Sequence, residues 1–315
     1  MNDLVTASAA ASVRARRRIR PHIFETPLIP ARSSANLLFK AENFQRTGSF
    51  KIRGAASAMT ASASDLPMIT ASSGNHGIGA ACAAGSLGRR LTVALPETVV
   101  PQKLARIRAF GVDVVLHGAE TGLAEQHAQA LARQTGARYL SPYNDPDIIA
   151  GQGTIGLELL EQAAQVDHVF VAMGGGGLIG GIGAVLKAFS PSTRVVGAAA
   201  LNSQALALSM QAGRVVETEH LDTLADAVSG GIDEGSITLP LAQAVVDEVI
   251  ACSEAEIAAA LRLIAQEETM LVEGAAALAM AAFLKSPQAQ AGGTSVVLLC
   301  GANFDGERVR AVALG

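Results

Sequence analysis

The sequence predicts an α/β fold in which mostly parallel sheet is flanked by helices, and three observations point there. Short β-branched or apolar runs alternate with longer helix-like stretches along almost the whole chain. Two of these runs, Met68–Ala71 and His168–Ala172, lead directly into glycine-containing turns followed by small-residue helices. The 315 residues are 50% hydrophobic but only 3% aromatic, so alanine and glycine supply much of the apolar content. A chain of this length buries a large core as one large or two moderate domains.

The first element is an arginine-rich helix. Residues 7 to 20 hold Arg14, Arg16, Arg17, Arg18 and Arg20 among serines and alanines, and Pro21 ends the run. A transit peptide has a similar composition, but the solvated face of a first helix is the simpler reading, and no uninterrupted apolar stretch suggests a secretory signal. Strands are expected at Leu37–Lys40, Met68–Ala71, Leu91–Leu95, 112–116, His168–Ala172, 194–198, 248–251 and 295–299. Helices are expected at 101–110, 119–135, 151–164, 178–189, 253–268 and 274–283. The polar cluster Ser141-Pro142-Tyr143-Asn144-Asp145-Pro146 reads as a loop returning from one lobe to another. Neither an internal repeat nor a low-complexity linker interrupts this order.

Bulk charge excludes little but favours nothing exotic. A net charge of −4 gives no reason to expect a nucleic acid or an anionic membrane as partner. No apolar run approaches the ~20 residues that span a bilayer. Cys82, Cys252 and Cys300 are widely spaced and form no C-x-x-C, which fits a reducing cytoplasm and argues against a disulfide framework or structural zinc. The six histidines show no metal-ligand spacing.

Three segments carry chemistry. In Asn43-Phe44-Gln45-Arg46-Thr47-Gly48-Ser49-Phe50-Lys51-Ile52, a lysine follows a phenylalanine at a helix start, with Thr47 and Ser49 as capping candidates and Gly48 permitting a tight turn. A lysine in such an apolar setting loses solvation, which disfavours its charged form and makes the amine a better nucleophile. In Ser72-Ser73-Gly74-Asn75-His76-Gly77, a strand gives way to a helix expected from about 78 to 84, whose N-terminus can receive a carboxylate. In Met173-Gly174-Gly175-Gly176-Gly177-Leu178, four consecutive glycines let backbone N–H groups close on a phosphate. Gly175, Gly177 and Gly180 also match G-x-G-x-x-G. A dinucleotide site would want an acidic residue about 20 positions on, after the next strand, and only Ala198-Ala199-Ala200-Leu201 stand there.

Together these segments resemble the pyridoxal-phosphate enzymes of fold type II, and within them the serine/threonine dehydratase and serine racemase family. Ala150-Gly151-Gln152-Gly153-Thr154 and Cys300-Gly301-Ala302-Asn303 complete the resemblance, and all five motifs stand in the family's order from residue 43 to 303. The resemblance implies a two-lobed α/β fold, with a small lobe of residues 67–144 inserted into a large cofactor-binding lobe of 1–66 and 145–315. It implies pyridoxal 5'-phosphate as cofactor, a small-molecule amino acid as substrate, and a cytoplasmic homodimer. Lys51 would be the Schiff-base lysine and then the base that removes the substrate α-proton. Gly174, Gly175, Gly176, Gly177 and Leu178 would bind the cofactor phosphate. Asn75 would hydrogen-bond its phenolic oxygen and Phe50 would pack near its ring, although a plain core phenylalanine explains Phe50 equally well. Ser72, Ser73, Gly74, Asn75 and His76 would hold the substrate carboxylate.

The chain departs from the resembled pattern in three places. Cys300 stands where serine is commoner and would meet the pyridine nitrogen. A thiol is a weak donor, so that nitrogen should stay largely unprotonated, favouring β-elimination over transamination. The glutamate that helps many relatives bind a divalent cation is replaced near Ala200 or Leu201, so no metal is expected at that site, with Leu201 and Leu206 packed inward instead. Val272-Glu273-Gly274 lacks the usual proline after the glutamate; Glu273 either lies near the cofactor or serves a helix start. Residues 229–236 should border the substrate pocket. Few residues follow Asn303, so the regulatory domain of biosynthetic threonine dehydratases is not expected and a catabolic enzyme is.

The expected activity is conversion of a β-hydroxy amino acid to a 2-oxo acid and ammonia. A racemase using Lys51 and Ser73 as opposite-face bases is the nearest rival, and a non-catalytic metabolite binder the rival of a different class. Serine, threonine, hydroxyaspartate, phenylserine and hydroxyectoine-derived amino acids all stay open as substrates.

Overall fold

The computed structural model describes residues 2–61, 64–304 and 306–314. In chain order its strands are β1 Leu28–Pro30, β2 Leu37–Lys40, β3 Met68–Ala71, β4 Leu91–Leu95, β5 Asp113–Leu116, β6 Arg138–Tyr139, β7 His168–Ala172, β8 Arg194–Ala200, β9 Glu248–Cys252 and β10 Ser295–Leu298. The helices begin with α1 Asp3–Ile19, α2 Lys51–Thr60, α3 Asn75–Leu87, α4 Pro101–Arg108, α5 Thr121–Thr135, α6 Pro146–Gln162 and α7 Gly177–Phe189. They continue with α8 Ala205–Ala212, α9 Thr238–Val245, α10 Glu254–Gln266, α11 Gly274–Lys285, α12 Pro287–Gln290 and α13 Gly306–Leu314.

Two sheets result. The larger runs β1-β2-β10-β7-β8-β9 and the smaller β5-β4-β3-β6. Every pairing is parallel except the edge pair β1–β2. Register places Phe39, Val297, Phe170 and Val196 side by side across four strands, all fully buried, as a parallel sheet covered on both faces requires. All eight expected strands form. β1 and β6 were not expected, because three and two residues are too short to show a period. α6 starts at Pro146 instead of 151, since the Asp145 side chain caps it by accepting from the amides of Asp147 and Ile148.

One core surrounds the larger sheet, and a second joins the smaller sheet to α2 through Ile52, Ala55, Met59, Met68, Ile78 and Val93. α2, which the expected division puts with the large lobe, therefore shares its packing with the smaller sheet. Both α2 and α7 pack backbone to backbone on α6. A Cβ on Gly151 would meet the Arg53 carbonyl at 2.4 Å, and one on Gly181 would meet the Ile149 carbonyl at 2.4 Å. This close approach ties the helix that begins with Lys51 to the helix that follows the tetraglycine loop.

A buried charge cluster anchors α2. Arg53 donates from Nε and Nη2 to Glu42, both at 2.8 Å, and from Nη1 and Nη2 to Glu158 at 2.6 and 2.9 Å. Lys40 donates to Glu158 at 2.5 Å, to the Thr26 carbonyl at 2.7 Å and to Gln162 at 3.0 Å. Two-pronged guanidinium–carboxylate bonds are strong and geometrically specific, and they offset the cost of burying these charges.

The segment after β8 corrects one expectation. Leu206 is buried, but Leu201 is 48% exposed. Hydrogen bonds brace this segment: Ser203 Oγ accepts from the Gly230 amide at 3.1 Å and lies 2.8 Å from His220 Nδ1, while the Asn202 carbonyl accepts from the Leu221 amide at 2.9 Å. Among the described residues, no helix is long and apolar enough to cross a membrane.

Candidate active site

The end of β10 holds the turn that precedes α2. The Asn43 amide donates to the Leu299 carbonyl at 2.9 Å, the Phe50 amide to the Cys300 carbonyl at 3.1 Å, and the Ala302 amide to the Gly48 carbonyl at 2.8 Å. Gly48 takes φ +74°, the left-handed turn that its lack of a side chain permits. Thr47 and Ser49 do not cap the helix, contrary to expectation. Phe50 occupies the cap position without a side-chain cap bond, Thr47 bonds the Ser49 carbonyl, and the Ser49 hydroxyl has no protein partner. Backbone bonds to β10 do the work expected of those hydroxyls.

Lys51 is thereby delivered as the first residue of α2 into a pocket between the two sheets. Its Nζ donates to the Pro142 carbonyl at 3.0 Å and lies 5.2 Å from the centre of the Phe50 ring. Among the described residues, no carboxylate forms an ion pair with it. Burial pulls the amine down to about 8, against a smaller opposing pull from Cys300 and Glu273.

The opposite wall is the tetraglycine loop, which leaves β7 and enters α7. Tyr143 lies across it: a Cβ on Gly175 would meet the Tyr143 ring at 2.4 Å. Thr238 holds the loop by donating to the Gly175 carbonyl at 2.7 Å. As at any α-helix start, the amides of Gly177, Leu178 and Ile179 have no intrahelical acceptor, and the helix dipole adds positive potential there. This arrangement fits a phosphate, and the Lys51 amine in the same pocket fits a carbonyl carbon, so the residues present suit a cofactor bearing both groups.

α3 brings Asn75 into the wall. Ser72, Ser73 and Gly74 form the turn just ahead of it, with Ser72 Oγ accepting from the Gly74 amide at 3.2 Å, and none of the three lines the pocket. The His76 side chain turns away into the core of the smaller sheet. Thr70 donates to the Leu140 carbonyl at 2.8 Å, so Thr70 Oγ1 accepts from His76 Nε2 at 3.0 Å. Burial, and secondarily the charge of Lys51, push this imidazole down to about 3, so it stays neutral. What His76 offers a carboxylate is its backbone amide.

Glu273 is the residue whose part the sequence left undecided. It is 1% exposed, makes no side-chain cap bond to α11, and faces the pocket. Asn75 Nδ2 lies 3.0 and 2.9 Å from its two oxygens, Cys300 Sγ donates to it at 3.5 Å, and the Asn303 amide does so at 3.3 Å. Burial lifts its carboxyl to about 7. Burial, reinforced by Glu273, pushes the Cys300 thiol well above its ordinary range. Phe50, Leu178 and Cys300 all line the same pocket, which encloses about 510 Å³ of empty space, part of it open to solvent. Tyr143 and Val228 line it too and were not among the expected site residues, their places depending on contacts that no local pattern encodes; Glu273, left open between the cofactor site and a helix start, also lines it. Among the described residues, no group of three or more His, Cys, Asp or Glu side chains is placed to hold a metal.

Comparison with known proteins agrees with this geometry. Residues 19–301 match the family model described as pyridoxal-phosphate dependent enzyme. The chain is 37% identical to the L-threonine ammonia-lyase of Geobacter sulfurreducens, over 94% of this chain and 75% of that protein. It is 34% identical to the catabolic L-threonine dehydratase of Escherichia coli K12, over 94% of this chain and 93% of that protein. Its structure is similar to the processed form of threonine deaminase isoform 2 from Solanum lycopersicum, with TM-score 0.93, 30% identity, and coverage of 100% of this chain and 94% of that one. Maize serine racemase is also similar, with TM-score 0.88, 30% identity, and coverage of 96% and 95%.

Proposed function

This chain belongs to the pyridoxal-phosphate-dependent enzyme family, and from that premise we propose that it is an ammonia-lyase converting a β-hydroxy amino acid, L-threonine foremost and L-serine second, to a 2-oxo acid and ammonia. The observation that carries this reading is Lys51: a half-buried amine that forms no ion pair among the described residues, sharing one pocket with a tetraglycine loop.

When bound, pyridoxal 5'-phosphate acts as the electron sink that acidifies the substrate α-carbon. The backbone amides of residues 174–178 would hold its phosphate, and Asn75 would have an N–H to donate to an anionic oxygen in the pocket. The turn before α3 orients the substrate carboxylate through backbone amides, so that the α-hydrogen faces Lys51. The Lys51 amine, neutral more readily than an exposed lysine, takes that proton. The β-hydroxyl departs as water, and the resulting enamine hydrolyses to the 2-oxo acid and ammonium. Cys300, which the resemblance sets against the ring nitrogen, is a poor proton donor, and its S–H already points at Glu273. That supports elimination over transamination.

We also read the protein as a cytoplasmic homodimer; its three free cysteines suit a reducing compartment. Light scattering on the purified protein tests the dimer. Measuring ammonia and 2-oxo acid release from the cofactor-loaded enzyme across L-threonine, L-serine and bulkier β-hydroxy amino acids tests the activity. Threonine should give the highest kcat/KM. No 2-oxo acid from any of them, or rapid D/L exchange of unreacted substrate on chiral chromatography, contradicts the reading.

A further inference from the structure

We propose that Arg106 is a positioning residue for this reaction: it reaches from α4 to Asn303 and, through it, fixes the side-chain amide of Asn75 in the pocket. This rests on the pocket being the cofactor site described above.

Arg106 sits on the outer helix α4, which packs with the smaller sheet's α3, yet its guanidinium crosses to the other side of the cleft. Nη1 donates to Asn303 Oδ1 at 2.7 Å and Nη2 to the Thr47 carbonyl at 3.2 Å. Thr47 belongs to the turn that delivers Lys51, and Asn303 follows the β10 end that clamps that turn. One exposed side chain thus bridges the two sides of the pocket.

The orientation of Asn303 is set from both ends, by Arg106 on its oxygen and by the Thr47 carbonyl on its nitrogen. A guanidinium only donates, so Asn303 must present its oxygen to it. Asn303 Nδ2 is then turned the other way, donating to the Thr47 carbonyl and to Asn75 Oδ1, both at 2.7 Å. With its oxygen so occupied, Asn75 must direct Nδ2 at Glu273. The two oxygens of one carboxylate subtend far less than the angle between the two N–H bonds of an amide, so one N–H serves both. The second is left for the pocket. Without Arg106, Asn303 keeps the Thr47 carbonyl but loses the anchor on its oxygen, so its amide can swing; Asn75, bonded to it, shifts with it, and the N–H needed in the pocket moves out of place.

The experiment compares cofactor-loaded wild type with Arg106→Met, Arg106→Lys, Asn303→Ala and the double variant Arg106→Met/Asn303→Ala. Arg108→Met, a change to an exposed arginine on the same helix, is the control. The visible absorption of the resting enzyme is recorded without substrate, then kcat and KM for L-threonine. Misplacing a group that contacts the reacting assembly commonly costs one to two orders of magnitude. Arg106→Met should alter the resting band and lower kcat about tenfold, with KM changed less than about twofold. Arg106→Lys should recover part of both, and the double variant should be no worse than Asn303→Ala alone. A wild-type band and kcat in Arg106→Met overturns the proposal, as do losses that simply add in the double variant. If the wild type fails to turn over threonine, the substrate assignment fails, and the resting band still decides the role of Arg106.

Discussion

Lys51 and Arg53 stand two residues apart on one helix, the first half-buried at the pocket and the second fully buried, and their surroundings are opposite. Arg53 is gripped by two carboxylates, Glu42 and Glu158, which more than offset the cost of burial and hold its proton firmly. Lys40, on the neighbouring strand, joins the same cluster; burial draws its pKa down, while Glu158 and Glu42 pull it back. Lys51 has one carbonyl acceptor and no ion pair, and burial brings it to about 8. A compensated buried cation anchors a helix. An uncompensated one is primed to lose its proton and react. Over two residues, the same helix is fixed in place and supplied with its nucleophile.

The sharpest way to break this comparison is to remove each cation in turn. Lys51→Ala should lower 2-oxo acid production by about a thousandfold or more while leaving the fold intact, because a nucleophile and base are lost and no buried ion pair is broken. Arg53→Met should do the reverse. Among the described residues, buried Glu42 loses its one ion-pair partner and Glu158 keeps only Lys40, so stability measured by urea unfolding should fall by about 3–5 kcal/mol. Adding Glu42→Gln should recover part of that loss. If Lys51→Ala destabilises as much as Arg53→Met, the two cations are not different in kind.

Much of this contrast was hidden in the sequence. Lys51 announces itself because its neighbours Thr47-Gly48-Ser49-Phe50 and the two glycine-bearing turns are local patterns that recur in a known family. Strands such as β3, β4 and β7 are legible because they are short, mostly apolar runs that lead into polar or glycine-bearing turns. Arg53 looks like any polar residue on a helix until Glu158, 105 positions away, is seen against it. The same holds for Asn303 and Asn75, 228 positions apart, and for Glu273 and Asn75, 198 apart. Local pattern shows where helices begin and which residues are buried-compatible; it does not show which charges face each other. The capping expectation for Thr47 and Ser49 failed for the same reason, since a distant strand supplies the bonds.

Glu273 sharpens the comparison from the acidic side, as a buried carboxyl with no cationic partner within ion-pair distance among the described residues. Its pKa is raised from 4.5 to about 7. Between those values the folded protein keeps a proton that the unfolded chain has released, so stability falls as pH rises across that window. The shift corresponds to about 3 kcal/mol at most. In cofactor-free protein, the stability of wild type relative to Glu273→Gln should therefore drop by up to that amount between pH 4.5 and 7.5. A difference that stays flat with pH means that Glu273 is ionised throughout. The smallest expected effect concerns metal. The segment after β8 is braced by Ser203, His220 and Asn202 in place of acidic ligands, so a chelator should leave rate and melting temperature unchanged within error. A large loss restored by magnesium or calcium would reveal ligands elsewhere.

The most direct test of the central claim sets Lys51 against the fully buried Lys40. The cofactor-loaded enzyme is reduced with borohydride, digested, and mapped by mass spectrometry for peptides carrying the cofactor. The adduct should appear on Lys51 at about one per chain and be absent from Lys40, whose ammonium is held by Glu158. An adduct on Lys40 or another lysine, with Lys51 unmodified, would contradict the claim that an uncompensated buried charge selects the reactive amine.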